Sequence, residues 1–150
     1  EYWTTRSGFE AGSSDGRALA VEGRVTTGDF YDGRSTEAEF GTTLRANALV
    51  HVGIDWQSAI VELGPGRDFT TQIGELRLEL HPSSRLSLRN LVQFDNESQL
   101  LGWQSRLRWI TAPGCDFFAV LAAGWARTDD GSLVPTQQDL TFKLQQTLRF

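Results

Sequence analysis

Asp139-Leu140-Thr141-Phe142-Lys143-Leu144-Gln145-Gln146-Thr147-Leu148-Arg149-Phe150 is the stretch that decides the fold. Leu140, Phe142, Leu144, Leu148 and Phe150 fall on one face of an extended chain. Asp139, Thr141, Lys143, Gln145, Thr147 and Arg149 fall on the other. Successive side chains of a strand point to opposite faces, so a period of two is the mark of β-structure. The apolar face runs to the last residue and ends on an aromatic ring. A strand of this kind is expected to close against another strand.

Outward from this stretch, the same period recurs eight more times, over 2–11, 17–27, 36–46, 49–60, 69–80, 85–94, 100–110 and 117–127. Leu19, Val21 and Val25 oppose Glu22 and Arg24. Phe40 and Leu44 oppose Glu37, Glu39 and Arg45. Val52, Ile54 and Trp56 oppose His51, Asp55 and Gln57. Leu76, Leu78 and Leu80 oppose Glu75, Arg77 and Glu79, and Leu86, Leu88, Val92 and Phe94 oppose Ser87, Arg89 and Gln93. Leu101, Trp103, Leu107 and Trp109 oppose Gln104, Arg106 and Arg108. No stretch keeps a 3.6-residue apolar period, so no helix is expected. Short connections are predicted at 13–16, 46–48, 81–84 and 112–116, and longer ones at 28–35, 62–68 and 128–138, with a brief one at 95–98.

The chain of 150 residues makes one domain, 1–150. No apolar run approaches the roughly 20 residues of a membrane helix, which leaves barrel strands open. The predicted fold class is all-β: an antiparallel up-and-down transmembrane β-barrel of about eight strands, with short periplasmic turns and longer extracellular loops. Stretches of this length suit a tilted membrane crossing, whereas soluble strands are usually about five or six residues. The charged faces would then line the lumen as an ion-pair network of Glu22, Arg24, Glu39, Arg45, Asp55, Glu75, Arg77, Glu79, Arg89, Arg106, Arg108 and Lys143. Arg predominates, Lys143 being the sole lysine among 14 basic residues, and Arg suits multiply bonded ion pairs. Trp3, Trp56, Phe94, Trp103, Trp109, Trp125, Phe142 and Phe150 are the expected lipid-facing aromatic girdle. The alternative is a soluble β-barrel with Trp and Phe around a hydrophobic small ligand. Nine strands is an odd number for a closed barrel. Either the first is supernumerary, or the chain is part of a larger barrel, or subunits pool strands.

The closing Leu144, Leu148 and Phe150 resemble the C-terminal signature by which bacterial outer-membrane barrels are recognised for insertion. From about Gly16 onward the chain resembles the C-terminal portion of a family of large outer-membrane proteins. Members of that family place a carbohydrate-binding, family-9-like β-sandwich before a transmembrane barrel. The resemblance rests on Gly16-Arg17-Ala18-Leu19-Ala20, Asp68-Phe69-Thr70-Thr71, Leu91-Val92-Gln93-Phe94-Asp95-Asn96 and the run Leu101 to Ile110. It implies a bacterial outer-membrane location, and the C-terminus, in register with the short-turn side, is then expected to be periplasmic. It also implies two partners: outer-membrane lipid, and the barrel-assembly machinery through the last strand. It implies no chemistry and carries over no glycan site.

Other chemistry is sparse. A net charge of −5 argues against nucleic acid. Methionine is absent, even at position 1, so the chain is expected to be processed or trimmed. The lone Cys115 forms no internal disulfide or metal cluster. His51 with Asp55 and Ser87 is a conceivable hydrolytic set, outweighed by a lumen histidine bonded to a neighbour. His81 opens a Pro-containing turn. Glu37 and Glu39 belong with the lumen network, and Asp129 and Asp130 with a solvated loop. Residues 64–67 lack the strand–helix context of a phosphate loop. No enzyme, no catalytic residue, no cofactor and no metal site is expected.

Overall fold

The computed structural model describes residues 4–147. It holds nine strands: β1 (Arg6–Gly12), β2 (Leu19–Phe30), β3 (Gly33–Asn47), β4 (Val50–Glu62), β5 (Phe69–Ser83), β6 (Leu86–Asp95), β7 (Leu100–Ala112), β8 (Cys115–Arg127) and β9 (Leu133–Gln146). They form one antiparallel sheet in sequence order, each strand paired with its chain neighbours. Among the described residues there is no helix. Trp3, Leu148 and Phe150 lie outside the described residues.

The alternating faces survive pairing because the register is nearly continuous. Arg45, His51, Glu79, Arg89 and Arg106 are successive cross-strand partners on five neighbouring strands. On the opposite face, Leu44, Val52, Leu78, Asn90 and Ser105 pair in the same way. A slip of one residue would exchange the two faces. The registers therefore keep the charges together and the greasy side chains together.

The two faces are crowded differently. Ala20, Ser35 and Val61, only 6, 3 and 4% exposed, all project on the charged side. Phe9, Leu140, Phe142 and Leu144, on the apolar side, are 61–74% exposed. Ser58 is the exception, buried on the apolar side. Phe9, Leu140, Phe142 and Leu144 lie on the edge strands β1 and β9, which among the described residues have a neighbour on one side alone. No large side chain among the described residues is fully buried. The sheet thus encloses no dry core.

Several local expectations are corrected. Residues 28–35 are not a long loop: β2 and β3 pair to Phe30 opposite Gly33, with the turn at 31–32. The 128–138 loop shrinks to 128–132, because β9 begins at Leu133. Pro135 hid that start. It is tolerated there because β9 is an edge strand and the register shifts between Gly124 and Trp125, opposite it. The first connection, 13–18, is longer than expected. The turns 48–49, 84–85 and 113–114 share its end of the sheet and are tight, while 63–68, 96–99 and 128–132 lie at the other end. Among the described residues the sheet is not closed: β1 pairs only with β2, and β9 only with β8. In an up-and-down meander the first and ninth strands run parallel, whereas β2 and β9 run antiparallel.

Candidate functional site

The expected network residues share the charged face, and the structure sorts them into clusters. In the first, Glu10, Arg24 and Glu39 are cross-strand partners on β1, β2 and β3. Arg24 donates from Nε to Glu10 Oε2 at 3.0 Å, with Nη2 at 2.9 Å, and its Nη1 lies 3.8 Å from Glu39 Oε2. Arg6 reaches over β2 to Glu37 at 3.9 Å. It crosses where Gly28 has no side chain: a Cβ there would sit 2.6 Å from Arg6 Cγ and would also meet the Thr5 carbonyl. Gly28→Val is therefore expected to lift β1 off β2 at a cost of about 1 kcal/mol. Amide exchange should accelerate over residues 6–12 and stay unchanged over β4–β8. Uniform acceleration would refute a local effect.

The second cluster joins β4 and β5. Arg77 bonds Asp55 and lies 3.6 Å from Glu75 Oε1. Its guanidinium covers Gly53, where a Cβ would come within 3.0 Å of Nε. A shallow cavity of about 120 Å³ separates these two clusters, lined by Glu22, Arg24, Glu39, Gly41 and Asp55 among others.

The third cluster lies at the tight-turn end. Glu79 Oε1 is 3.4 Å from Arg89 Nε, and Glu79 Oε2 is 3.5 Å from His81 Nε2. His51 stands directly opposite Glu79, and its ring centre is 5.7 Å from that of His81. One donor atom from each of His51, Glu79 and His81 falls within 4.8 Å of the others. The fourth cluster is Arg108 with Asp116, at 3.0 Å, on β7 and β8.

Four expected members behave differently. Arg106 does not pair with a carboxylate among the described residues. Its partner on β6 is Arg89, a like charge, and it turns instead over the Phe118 ring at 5.3 Å. Arg45 leaves the network for the 13–18 connection, donating to the carbonyls of Asp15 and Arg17. Glu22 and Lys143 lie on the charged face without an ion pair among the described residues. Sequence reading missed Glu10 and Asp116 as members. Alternation with Phe9 and Ala11 marks Glu10, whereas Asp116 was hidden by its place in an expected turn. His81, expected in a turn, lies on a strand. β5 continues through Pro82 to Ser83, which puts His81 in phase with Arg77 and Glu79.

On the apolar face, Phe94, Leu101 and Trp125 form one cross-strand row near the longer-loop end. Leu86, Trp109, Phe117 and Leu144 form another near the tight turns. Phe117 and Trp125 are about 27 Å apart along β8. Trp103 sits one step inward of the first row. Phe142 sits one step inward of the second row, its ring stacked on Phe117 at 6.0 Å, and Trp56 is mid-strand and belongs to neither rim, although both share the expected face.

The exposed connections carry their own order. Arg67 bonds Asp32 at 2.9 Å, tying 63–68 to the 31–32 turn, and holds that carboxyl below its usual range. Asp130 accepts bonds from the Thr128 hydroxyl and from the Ser132 amide and hydroxyl, at 3.0 and 2.8 Å for the latter two. These lower its pKa to about 2. A depressed folded pKa means the loop's added stability is in place above the ordinary carboxylate value and is lost as pH falls toward 2. Amide exchange at Ser132, corrected for intrinsic rate, is expected to stay slow at pH 5 and to rise near pH 2. Asp130→Asn should be fast at both.

No protein-family model matches this chain, and no curated protein matches it significantly.

Proposed function

We propose that this chain is wall of a bacterial outer-membrane β-barrel, acting as a structural anchor or narrow pore with an Arg/Glu-lined lumen. One observation carries the reading. Large apolar side chains line one face of the strands, with Trp56, Trp109, Phe142 and Phe9 40–74% exposed, and the ion pairs line the other. A contiguous apolar surface this broad needs an apolar solvent or a partner. Acyl chains would meet it on every strand at once. Two aromatic rows about 20 Å apart in height, after strand tilt, fit the two rims of the roughly 25 Å apolar band of such barrels.

Further support comes from strand length, 12–15 residues in β2, β3, β4, β5, β7, β8 and β9, and from the resemblance to the barrel portion of the large outer-membrane family. Closure would take an even strand set. β2–β9 is such a set, with β1, only seven residues long, left over. The C-terminal end of β9 lies with the tight turns, so the tight-turn end would be periplasmic. The paired charges would fill a narrow lumen rather than leave a wide channel.

Detergent dependence tests the reading. The folded chain is expected to require micelles or lipid, and to migrate faster on a gel before boiling than after. A monodisperse monomer in plain buffer would overturn the membrane assignment. Planar-bilayer recording then separates the two roles: small resolved current steps identify a pore, and a silent bilayer an anchor.

A further inference from the structure

We infer that His51, Glu79 and His81 form a binding site for one divalent transition-metal ion at the tight-turn end of the charged face. The chain has only two histidines. The hairpin register brings both to one carboxylate. His51 is the direct cross-strand partner of Glu79, and His81 follows Glu79 by two positions on the same face. The His81 backbone is pinned by its amide bond to the Leu49 carbonyl, at 2.7 Å.

The donor set is chemically apt. Two imidazoles and one carboxylate are the ligands of zinc sites with an open fourth position, and of other borderline divalent ions. Ligands bound at about 2.0–2.2 Å stand about 3 Å apart around the ion. His81 Nε2 and Glu79 Oε2 are already 3.5 Å apart, and all three donors fit within 4.8 Å, so side-chain rotation alone gathers them. His81 and Glu79 are 30 and 35% exposed, which leaves room for water or a ligand at the ion.

The surrounding cations do not block it. Arg89 takes the other carboxylate oxygen, Oε1, in the way outer groups orient a metal-binding carboxylate. Arg45, the other cross-strand partner of His51, has its guanidinium drawn off to the carbonyls of Asp15 and Arg17. The site depends only on the β4–β5 register, so it holds whether or not the sheet lies in a membrane.

Zinc chloride titrated into the folded full chain, free of any polyhistidine tag, is the test. Competition with a chromophoric chelator should give one Zn²⁺ per chain. His51→Ala, His81→Ala and Glu79→Gln should each weaken binding by about tenfold or more. Zn²⁺ should also shield both histidines of the unaltered chain from diethyl pyrocarbonate, a readout that needs no variant to fold. Absence of saturable uptake, modification of both histidines at an unchanged rate, or full uptake by the H51A/H81A double variant would each overturn the assignment.

Discussion

Leu107→Arg is expected to lower the unfolding free energy of the lipid-embedded chain by about 2–4 kcal/mol, the depth-dependent penalty of an arginine on a barrel's lipid face. Leu107 lies in the middle of β7, between Leu88 on β6 and Ala119 on β8. Its chain neighbours Arg106 and Arg108 project the other way. The same residue type is thus native one position to either side, and only the face changes. Gln104→Arg is the matched control. Gln104 is exposed on the charged side, between Leu91 and Ala122, and its replacement should shift stability by less than about 0.5 kcal/mol. In water both positions would be ordinary surface and both changes nearly neutral. Urea unfolding from lipid vesicles, followed by tryptophan emission, separates the cases. Equal costs would mean that the apolar face does not meet lipid.

How much of this was legible in the chain depends on which physical term governs each feature. Which residues share a face was legible on β2 to β9, because period two is local and needs only the order of residues: Leu76-Arg77-Leu78-Glu79 declares two faces without a partner. Boundaries were less legible. Pro135 and the Gly28–Ser35 stretch carry turn-forming composition, yet pairing overrides it, through an edge position in one case and through a hairpin turn confined to 31–32 in the other.

Partnerships were the least legible, since they depend on register between strands. Arg106 was expected in a carboxylate network, but the register sets it opposite Arg89, and repulsion sends it to Phe118. The approach of His81 to His51 across 30 positions is likewise invisible until β5 is known to run past Pro82. Closure is a long-range property of how the two edges of the sheet meet, which the pattern of one strand does not carry; among the described residues β9 pairs with β8 alone.

Arg77→Leu is expected to cost about 2 kcal/mol, between the range for exposed pairs and that for buried ones. The guanidinium is 48% exposed, but its carboxylates Asp55 and Glu75 are only 26 and 28% exposed. Those two carboxylates are direct cross-strand partners. Removing the cation between them leaves two like charges face to face on the crowded side of the sheet, where opposed like charges destabilise. Two consequences distinguish this from a packing loss. Adding Asp55→Asn to Arg77→Leu should recover more than half of the cost, since the repulsion then has only one member. High salt should shrink the penalty of the single variant and leave that of the double variant nearly unchanged. Arg106→Leu, which strands no carboxylate, should fall below about 0.5 kcal/mol. If Asp55→Asn gives no recovery, Arg77 acts by packing its guanidinium over Gly53 and not as the bridge between β4 and β5.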